Sequence, residues 1–216
     1  MIKINMRSHS ICLVPLVFCL LSVGANTAKA NAQTIYPFDV VYDTEVTLIP
    51  ILSTDVSKAF VSGLNSDAPY GLRNFSSINN YSRIDPNTGN LVFVQDATKF
   101  GLQGLPIGRD EFFGSGDKLF GRSSATAAFD FINRKLVGSG TITITGGAGR
   151  FNGATGIFNF SEIESLNVDP TALLRGQAFL SGSFQTPQQI PEPKTAATLF
   201  GICVIGINSI LRRRYL

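Results

Sequence analysis

The chain has 216 residues, with 18 Lys and Arg, 15 Asp and Glu and a formal net charge of +3. The positive balance belongs to the two ends, since residues 31–190 contain 11 Lys and Arg against 14 Asp and Glu, a net charge of −3. Binding to nucleic acid requires clustered basic residues that neutralise phosphates, and this middle region lacks them. We therefore expect no nucleic-acid partner.

The residues that most often build catalytic and metal sites are confined to the ends. Cys12, Cys19, Cys203 and the single histidine, His9, all lie in the terminal segments. The middle region therefore cannot form a disulfide, a Ser-His-Asp or Cys-His site, or a zinc site with the usual nitrogen and sulfur ligands. We expect no catalytic residue, no cofactor and no metal, and a protein that is not an enzyme.

The N-terminus has the pattern of a secretory signal peptide. Lys3 and Arg7 form a basic region, an apolar run follows, and Ala28 and Ala30 form a small-x-small cleavage site. Residues 1–30 are therefore predicted to be a signal peptide. Its expected partners are the Sec translocon and signal peptidase.

The middle region alternates between apolar and polar residues with a period of two, which indicates strands. No helical stripe longer than two turns is evident, and 15 phenylalanines supply most of the bulky apolar mass. Seven to nine strands without covering helices indicate a closed antiparallel sheet, with Phe and Ile facing inward and Thr, Ser and Asn outward. The fold class is therefore all-β, a single antiparallel barrel of about eight strands over residues 31–186. Strands are predicted over or around residues 40–49, 58–64, 91–94, 117–131, 141–145, 158–161 and 177–185, with a Gly-rich loop over 101–116.

A glycine-rich segment, Gly146–Gly156, separates two of these strands. It is not spaced as a dinucleotide fingerprint, because Gly153 comes one position too late after Gly149 and a strand, not a helix, follows. We expect a structural hairpin braced by Arg150 and Phe151. The segment resembles the "GGTGRFxGATG" hairpin of secreted bacterial β-barrels similar to allene oxide cyclase and plant dirigent proteins. That resemblance implies such a barrel, but the cyclase's catalytic residues have no counterparts here. The stretch from 38 to 184 also looks like an uncharacterised family of exosortase-sorted proteins.

Two groups of acidic residues are candidate sites. Asp85–Asn90 is rich in oxygen ligands, but it lacks the terminal bidentate Glu of a calcium loop, so we expect a tight turn. Glu162 and Glu164 share a strand face with Phe158 and Phe160, which would bury both acids at a high cost. We expect a slip or bulge near Ser161 that turns the acids out to a solvated face or the barrel rim, in preference to acid–base work on a sugar.

Acidic and aromatic residues flank the Gly-rich loop. Asp110, Glu111, Phe112 and Phe113, with Asp117 and Lys118, could form a carbohydrate-binding rim or simply close one end of the barrel. The tyrosines of the middle region are expected to be half-buried rim residues; they are Tyr36, Tyr42, Tyr70 and Tyr81.

The C-terminus combines a motif, an apolar run and a basic stop. Pro191, Glu192 and Pro193 lie in a linker over residues 187–195, and residues 196–211 are apolar. As a helix the run covers about 24 Å, slightly short of the ~30 Å hydrocarbon core. The three arginines that follow the run, Arg212, Arg213 and Arg214, are expected on the cytoplasmic side of the membrane.

This tripartite tail resembles the PEP-CTERM sorting signal, which implies recognition and cleavage by exosortase. Residues 196–216 are accordingly predicted to be a transmembrane helix with a basic tail, anchoring the protein in the plasma membrane only transiently. We then expect the protein at the cell surface or in the extracellular matrix, with polysaccharide as a further partner.

The expected role at that location is structural or adhesive. One alternative is a barrel that binds a small apolar ligand or a glycan. A further alternative is a carboxylate-based cyclase or lyase, which requires at least two acids that converge in one pocket.

Overall fold

The computed structural model describes residues 33–167, 169 and 172–187. The predicted signal peptide, the Pro-Glu-Pro motif and the C-terminal membrane helix lie outside these residues. Within the described part, no helix is both long and apolar enough to cross a bilayer. Nine strands are found there: β1 (Gln33–Pro50), β2 (Val56–Leu64), β3 (Asn74–Ile84), β4 (Leu91–Val94), β5 (Arg109–Gly114), β6 (Asp117–Asp130), β7 (Lys135–Ala148), β8 (Thr155–Ser165) and β9 (Leu174–Pro187).

The strands form one antiparallel ring. Strands β6, β7, β8, β9, β1 and β2 pair in that order, and β2 pairs with β3. Both β4 and β5 pair with β3 on one side and β6 on the other, so they share one position in the ring. Nine strands thus fill eight positions, which confirms the predicted antiparallel barrel of about eight strands.

Residues 95–108 interrupt the shared position and cover part of the outer face. This excursion packs over Tyr81, which is 1% exposed and donates from Oη to the Pro106 carbonyl at 2.7 Å. Its two ends are joined by the Gly108 amide, which donates to the Gln95 carbonyl at 2.7 Å. The chain can therefore leave the sheet after β4 and re-enter it in line as β5.

Strands β3 and β5 are not anticipated by the sequence patterns. The inward positions of β3 include Ser77 and Asn80, both buried, and Asn79 breaks the alternation with a positive φ of 56°. Strand β5 lies within the stretch 101–116 that was predicted to be a loop. Polar residues on the inner face hide the apolar alternation on which strand prediction depends.

Aromatic rings close one end of the barrel. Phe38 stacks on Phe158 with ring centroids 4.7 Å apart, and Tyr36 stacks on Phe184 at 4.9 Å. Phe151 of the hairpin loop is fully buried and meets Phe184 edge-on at 5.0 Å. Such pairs contribute about 0.5–1.5 kcal/mol each beyond the area they bury.

The tyrosines divide into two pairs. Tyr36 and Tyr70 are half-buried at the closed end, as predicted. The same prediction is wrong for Tyr42 and Tyr81, which are 0% and 1% exposed. Tyr42 points into the ring and donates from Oη to the Leu72 carbonyl at 2.5 Å, and this hydrogen bond allows its phenol to be buried completely.

The glycine-rich segment forms the predicted hairpin between β7 and β8. Gly149 and Gly153 have φ values of 69° and 73°, a backbone region that favours glycine. Arg150 donates from Nε and from its backbone amide to the Asp117 carboxylate, at 2.7 and 2.9 Å. A strand follows the loop, so the segment lacks the helix N-terminus that a phosphate-binding loop uses.

Two adjacent glycines of this hairpin give a matched test of its packing. A Cβ on Gly147 would lie 2.3 Å from the Phe151 carbonyl oxygen and 2.7 Å from that of Lys118, whereas a Cβ on Gly146 would come no nearer than 3.8 Å, to Phe120. We expect Gly147→Ala to lower the free energy of unfolding by about 2 kcal/mol or more, and Gly146→Ala to change it by less than about 0.5 kcal/mol. Urea denaturation measures both; equal effects would contradict the packing described here.

Candidate functional site

A polar layer lies inside the ring between two apolar clusters. On β1, for example, Thr44 lies between Tyr42 of the closed-end cluster and Val46 of the other cluster. We call the inward polar residues at this level the polar layer; they are Thr44, Ser77, Asn80, Asp110, Ser123, Glu162 and Glu164. The expectation that Thr, Ser and Asn face outward is therefore wrong for the four such residues of this layer, Thr44, Ser77, Asn80 and Ser123.

Strand β8 carries both glutamates into the interior. It pairs with β7 and with β9 without any shift of register, so Phe158, Phe160, Glu162 and Glu164 all face inward. Glu164 is 0% exposed. The predicted bulge near Ser161, and the solvated face that it would give the two acids, are both wrong. Continuous pairing on both edges of the strand leaves no place for a bulge.

Small residues on the neighbouring strands make room for the two carboxyl groups. Gly138 is paired with Glu162, and a Cβ atom added to this glycine would lie only 2.8 Å from the Glu162 Cγ. Gly176 is paired with Glu164, and a Cβ atom added to this glycine would lie only 2.5 Å from Oε2 of Glu164. Ala178 flanks Glu162 on the other side. Glycines inside strands often mark such a close approach.

The two glutamates have different surroundings. Glu164 Oε1 accepts a hydrogen bond from Thr44 Oγ1 at 2.5 Å, while its Oε2 is buried without a partner. Glu162 retains some accessible surface, and because it faces into the ring this surface borders the internal cavity. Two residues along a strand separate the Cα atoms by about 7 Å, so the carboxyl groups interact electrostatically.

Burial shifts the pKa of both acids upward. Desolvation, followed by repulsion from Glu164, raises the pKa of Glu162 to about 7. Desolvation also raises the pKa of Glu164, although the hydrogen bond from Thr44 partly offsets it. Near neutral pH Glu162 therefore still holds part of a proton that a solvated glutamate would have lost.

Asp110 forms a second buried acidic group in the polar layer. It is 0% exposed, and burial raises its pKa to about 6. Ser77, Gln95 and Ser123 lie close enough to offset part of this shift, but neither carboxyl oxygen makes a hydrogen bond of normal geometry. Ser77 and Ser123 also line the internal cavity, so Asp110 lies close to that space.

The carbohydrate-binding rim, one of the two alternatives for the residues that flank the Gly-rich loop, is wrong for two of its members. Asp110 and Phe112 both point into the ring and are 0% exposed. Glu111 points outward, where it pairs with Lys118 and Arg109. Alternation along β5 places neighbouring residues on opposite faces, so they cannot form one rim.

An internal cavity of about 40 Å³ lies at the level of the polar layer. This space is enough for a few water molecules. Its polar lining is Ser77, Asn80, Ser123, Glu162 and Glu164, and the rest of the lining is apolar.

A larger opening of about 510 Å³ lies at the end of the barrel opposite the aromatic closure. We call it the mouth; its apolar lining is Leu48, Phe129, Phe131, Leu136, Leu166, Ala172 and Leu174. Leu48 and Leu136 line both the mouth and the cavity. The two spaces are therefore neighbours, with these leucines between them.

The Asp85 side chain stabilises the turn in which it lies. Its carboxylate accepts hydrogen bonds from the backbone amide and side chain of Asn87 and from Thr88 Oγ1, at 3.0 to 3.2 Å. The Gly89 amide donates to the Asp85 carbonyl at 2.8 Å. The predicted tight turn is confirmed, and the turn itself uses both carboxylate oxygens.

Comparison with known proteins gives one distant likeness. No protein-family model matches the chain. No curated protein matches it either. Among solved structures it is similar to a pterocarpan synthase dirigent protein at 12% sequence identity and a TM-score of 0.37, over 74% of this chain and 92% of that one. The barrel described here rests on its own strand pairings.

Sequence reasoning missed Thr44, Gly138 and Gly176 as parts of the site. A signal was present, because on the paired strands glycines lie directly opposite both glutamates. Reading that signal requires the register between strands, which period-two alternation alone does not supply.

The raised pKa of Glu162 predicts an unusual dependence of stability on pH. Its folded-state pKa is above its ordinary value of 4.5, so the stability it contributes is fully present below that value and is lost as pH rises through about 7. We expect Glu162→Gln to match the wild type at pH 4.5 and to exceed its unfolding free energy at pH 8 by about 3 kcal/mol at most.

Chemical denaturation across this pH range measures the effect, and Glu45→Gln provides the control. Glu45 lies on the outer face of β1, where it pairs with Arg175. Because Glu45 is exposed, its variant should not reproduce the gain in unfolding free energy at pH 8 that Glu162→Gln shows. Parallel profiles for wild type and Glu162→Gln would contradict the buried position of Glu162.

Proposed function

We propose that this protein is an exported barrel that binds a small molecule in its interior, through the mouth and against Glu162 and Glu164. The observation that supports this most strongly is the unpartnered Oε2 of Glu164, which is buried at the cavity beyond the apolar mouth. Apolar pockets with a few convergent polar groups are the usual form of small-molecule sites.

The energetic cost of the acids favours binding over a purely structural or adhesive role. A scaffold would gain stability if apolar residues of similar size replaced Glu162 and Glu164, because burying a charge without a partner is expensive. Acids with strongly shifted pKa values occur preferentially at functional sites. The polar layer is therefore better explained by something that it binds than by the fold.

The mouth supplies the apolar part of such a site. Phe129 and Phe131 stack there with ring centroids 5.5 Å apart, and Phe131 is 77% exposed. An exposed aromatic pair beside an opening can cover the apolar body of a ligand and gain buried area when it does so.

Export and sorting form the second part of the proposal. Its support is the sequence alone: the signal peptide of residues 1–30, and the tail in which Pro191, Glu192 and Pro193 precede an apolar run and three arginines. The protein would pass through the Sec translocon, lose its signal peptide to signal peptidase, and be cut by exosortase. It would then bind its ligand at the cell surface or in the extracellular matrix, where polysaccharide is a further partner.

Acid–base catalysis is a second candidate function. The two acids in one space, with the pKa of Glu162 near 7, meet the requirement for a carboxylate-based cyclase or lyase. Binding is the simpler proposal, because it needs no second reactive group. Turnover of a bound ligand that is lost in Glu162→Gln, with affinity retained, would favour the enzyme.

Removal of the aromatic pair should weaken binding of an apolar probe at the mouth. With Nile red as a neutral dye, we expect the double variant Phe129→Ser, Phe131→Ser to bind about fivefold more weakly than the wild type, since it loses about 1 kcal/mol of apolar contact. Phe179→Ser is the control, because Phe179 is 41% exposed on the outer face of β9. Fluorescence titration that shows the same loss in both variants would contradict a site at the mouth.

Processing of the tail tests the sorting proposal. In cells with exosortase we expect mass spectrometry to find a C-terminus near Pro191, and in cells without it a chain that still ends at Leu216. A variant in which Arg212, Arg213 and Arg214 are replaced by Ser should also resist cleavage. An intact tail in both strains would exclude sorting by this route.

A further inference from the structure

We propose that the ligand is an amphiphilic amine, whose ammonium group lies in the cavity beside Glu162 and Glu164 and whose apolar body occupies the mouth. This inference rests on the proposed function and specifies its ligand class. It follows from the hydrogen-bonding capacity, the charge and the size of the two spaces.

The cavity has buried oxygen atoms that lack hydrogen-bond donors. Ser77 Oγ, Asn80 Oδ1 and Glu164 Oε2 are all buried without partners, and all three residues line the cavity. Ser77 is 2% exposed and Asn80 is 7% exposed, so bulk water does not satisfy them. An ammonium group has three N–H donors and no acceptor, which complements this set of oxygens.

The charge of the interior is also unbalanced. The buried acidic residues in the described part of the chain are Asp110 and Glu164, and no Lys or Arg is buried there. The ion pairs found among the described residues join side chains on the outer surface. A buried carboxylate is stabilised when a cation pairs with it, and none of the residues that the structure describes supplies a cation inside the ring.

The sizes of the spaces restrict the shape of the ligand. The cavity of about 40 Å³ admits only a head group of a few atoms, and an ammonium is a compact cation. The mouth of about 510 Å³ has room for an apolar chain or ring. Leu48 and Leu136 border both spaces, so a molecule in the mouth reaches the carboxyl groups when these two side chains move aside.

The groups that face the ligand have a net negative charge. Asp110 lies next to Ser77 and Ser123, which line the cavity together with Glu162 and Glu164. At the mouth one cation, Arg134, and one acid, Asp169, line the opening. A ligand carboxylate would be repelled by the acids of the polar layer, and a neutral alcohol would leave their charge uncompensated.

Three probes of equal length separate these possibilities on the purified full chain. At pH 8 hexylamine is protonated, hexan-1-ol is neutral and hexanoate is an anion. By isothermal titration calorimetry we expect hexylamine to bind at least about tenfold more tightly than hexan-1-ol, and hexanoate to bind more weakly than both. Lowering the pH to 5 should protonate Glu162, whose pKa is raised to about 7, and weaken the preference for the amine.

Variants locate the amine within the protein. Glu162→Gln and Glu164→Gln should each lower the affinity for hexylamine about tenfold while hexan-1-ol binding changes less than about threefold. The exposed Glu45→Gln should leave both affinities unchanged. Circular dichroism verifies the fold of each variant. The dependence of hexylamine affinity on pH tests the same site in the wild type, without any substitution.

The outcomes distinguish the two levels of the proposal. The proposed ligand class is wrong if hexan-1-ol binds as tightly as hexylamine, or if neither glutamine variant lowers the affinity for hexylamine. In both cases the proposal that the barrel binds a small molecule is retained. If none of the three probes binds, the interior holds water only, and both the ligand class and the proposed function are overturned.

Discussion

The burial of two carboxyl groups inside a closed ring of strands is the constraint on which the rest of the structure depends. Glu162 and Glu164 lie on a strand that is paired along both edges, so neither can turn outward without breaking the sheet. Desolvation of an ionised carboxylate costs several kcal/mol, and proteins respond by raising the pKa of the group. The interior is accordingly built around a pair of acids whose pKa values are both raised by burial.

Several features of the neighbouring strands serve this pair. Gly138 and Gly176 provide space directly opposite the two side chains, and Thr44 donates to one of the four carboxyl oxygens. Aromatic packing at the closed end is dense and excludes water from that side. The opposite end is wider and apolar. The barrel is thus filled at one end and open at the other, with its polar layer between them.

The sequence predicted the elements whose inner faces are apolar. Strand β4 was predicted with its observed bounds, and β7 was predicted with Ile142 and Ile144 inward, as found. The missed strands, β3 and β5, carry Ser77, Asn80 and Asp110 into the ring. Alternation of apolar and polar residues located the core, but it also led us to expect polar residues on the outer face. That expectation failed throughout the polar layer. Local patterns fail most often where a site overrides the preferences of the fold.

The remaining features of the site depend on pairing between distant segments. The glycines opposite Glu162 and Glu164 come from β7 and β9, and Thr44 lies 120 residues away from its partner. The closure of the ring by β2 and β3 is equally non-local. No periodic pattern along the chain specifies such registers, although alternation on each strand does specify which residues share a face.

A direct titration of the glutamate side chains tests the central claim. Carbon-13 NMR of the labelled carboxyl groups, assigned with Glu162→Gln and Glu164→Gln, reports the midpoint of each. The structure predicts a midpoint near 7 for Glu162 and a raised one for Glu164, because both are desolvated inside the ring. Midpoints at the ordinary value of 4.5 for both residues would place the acids in solvent and contradict the interior site.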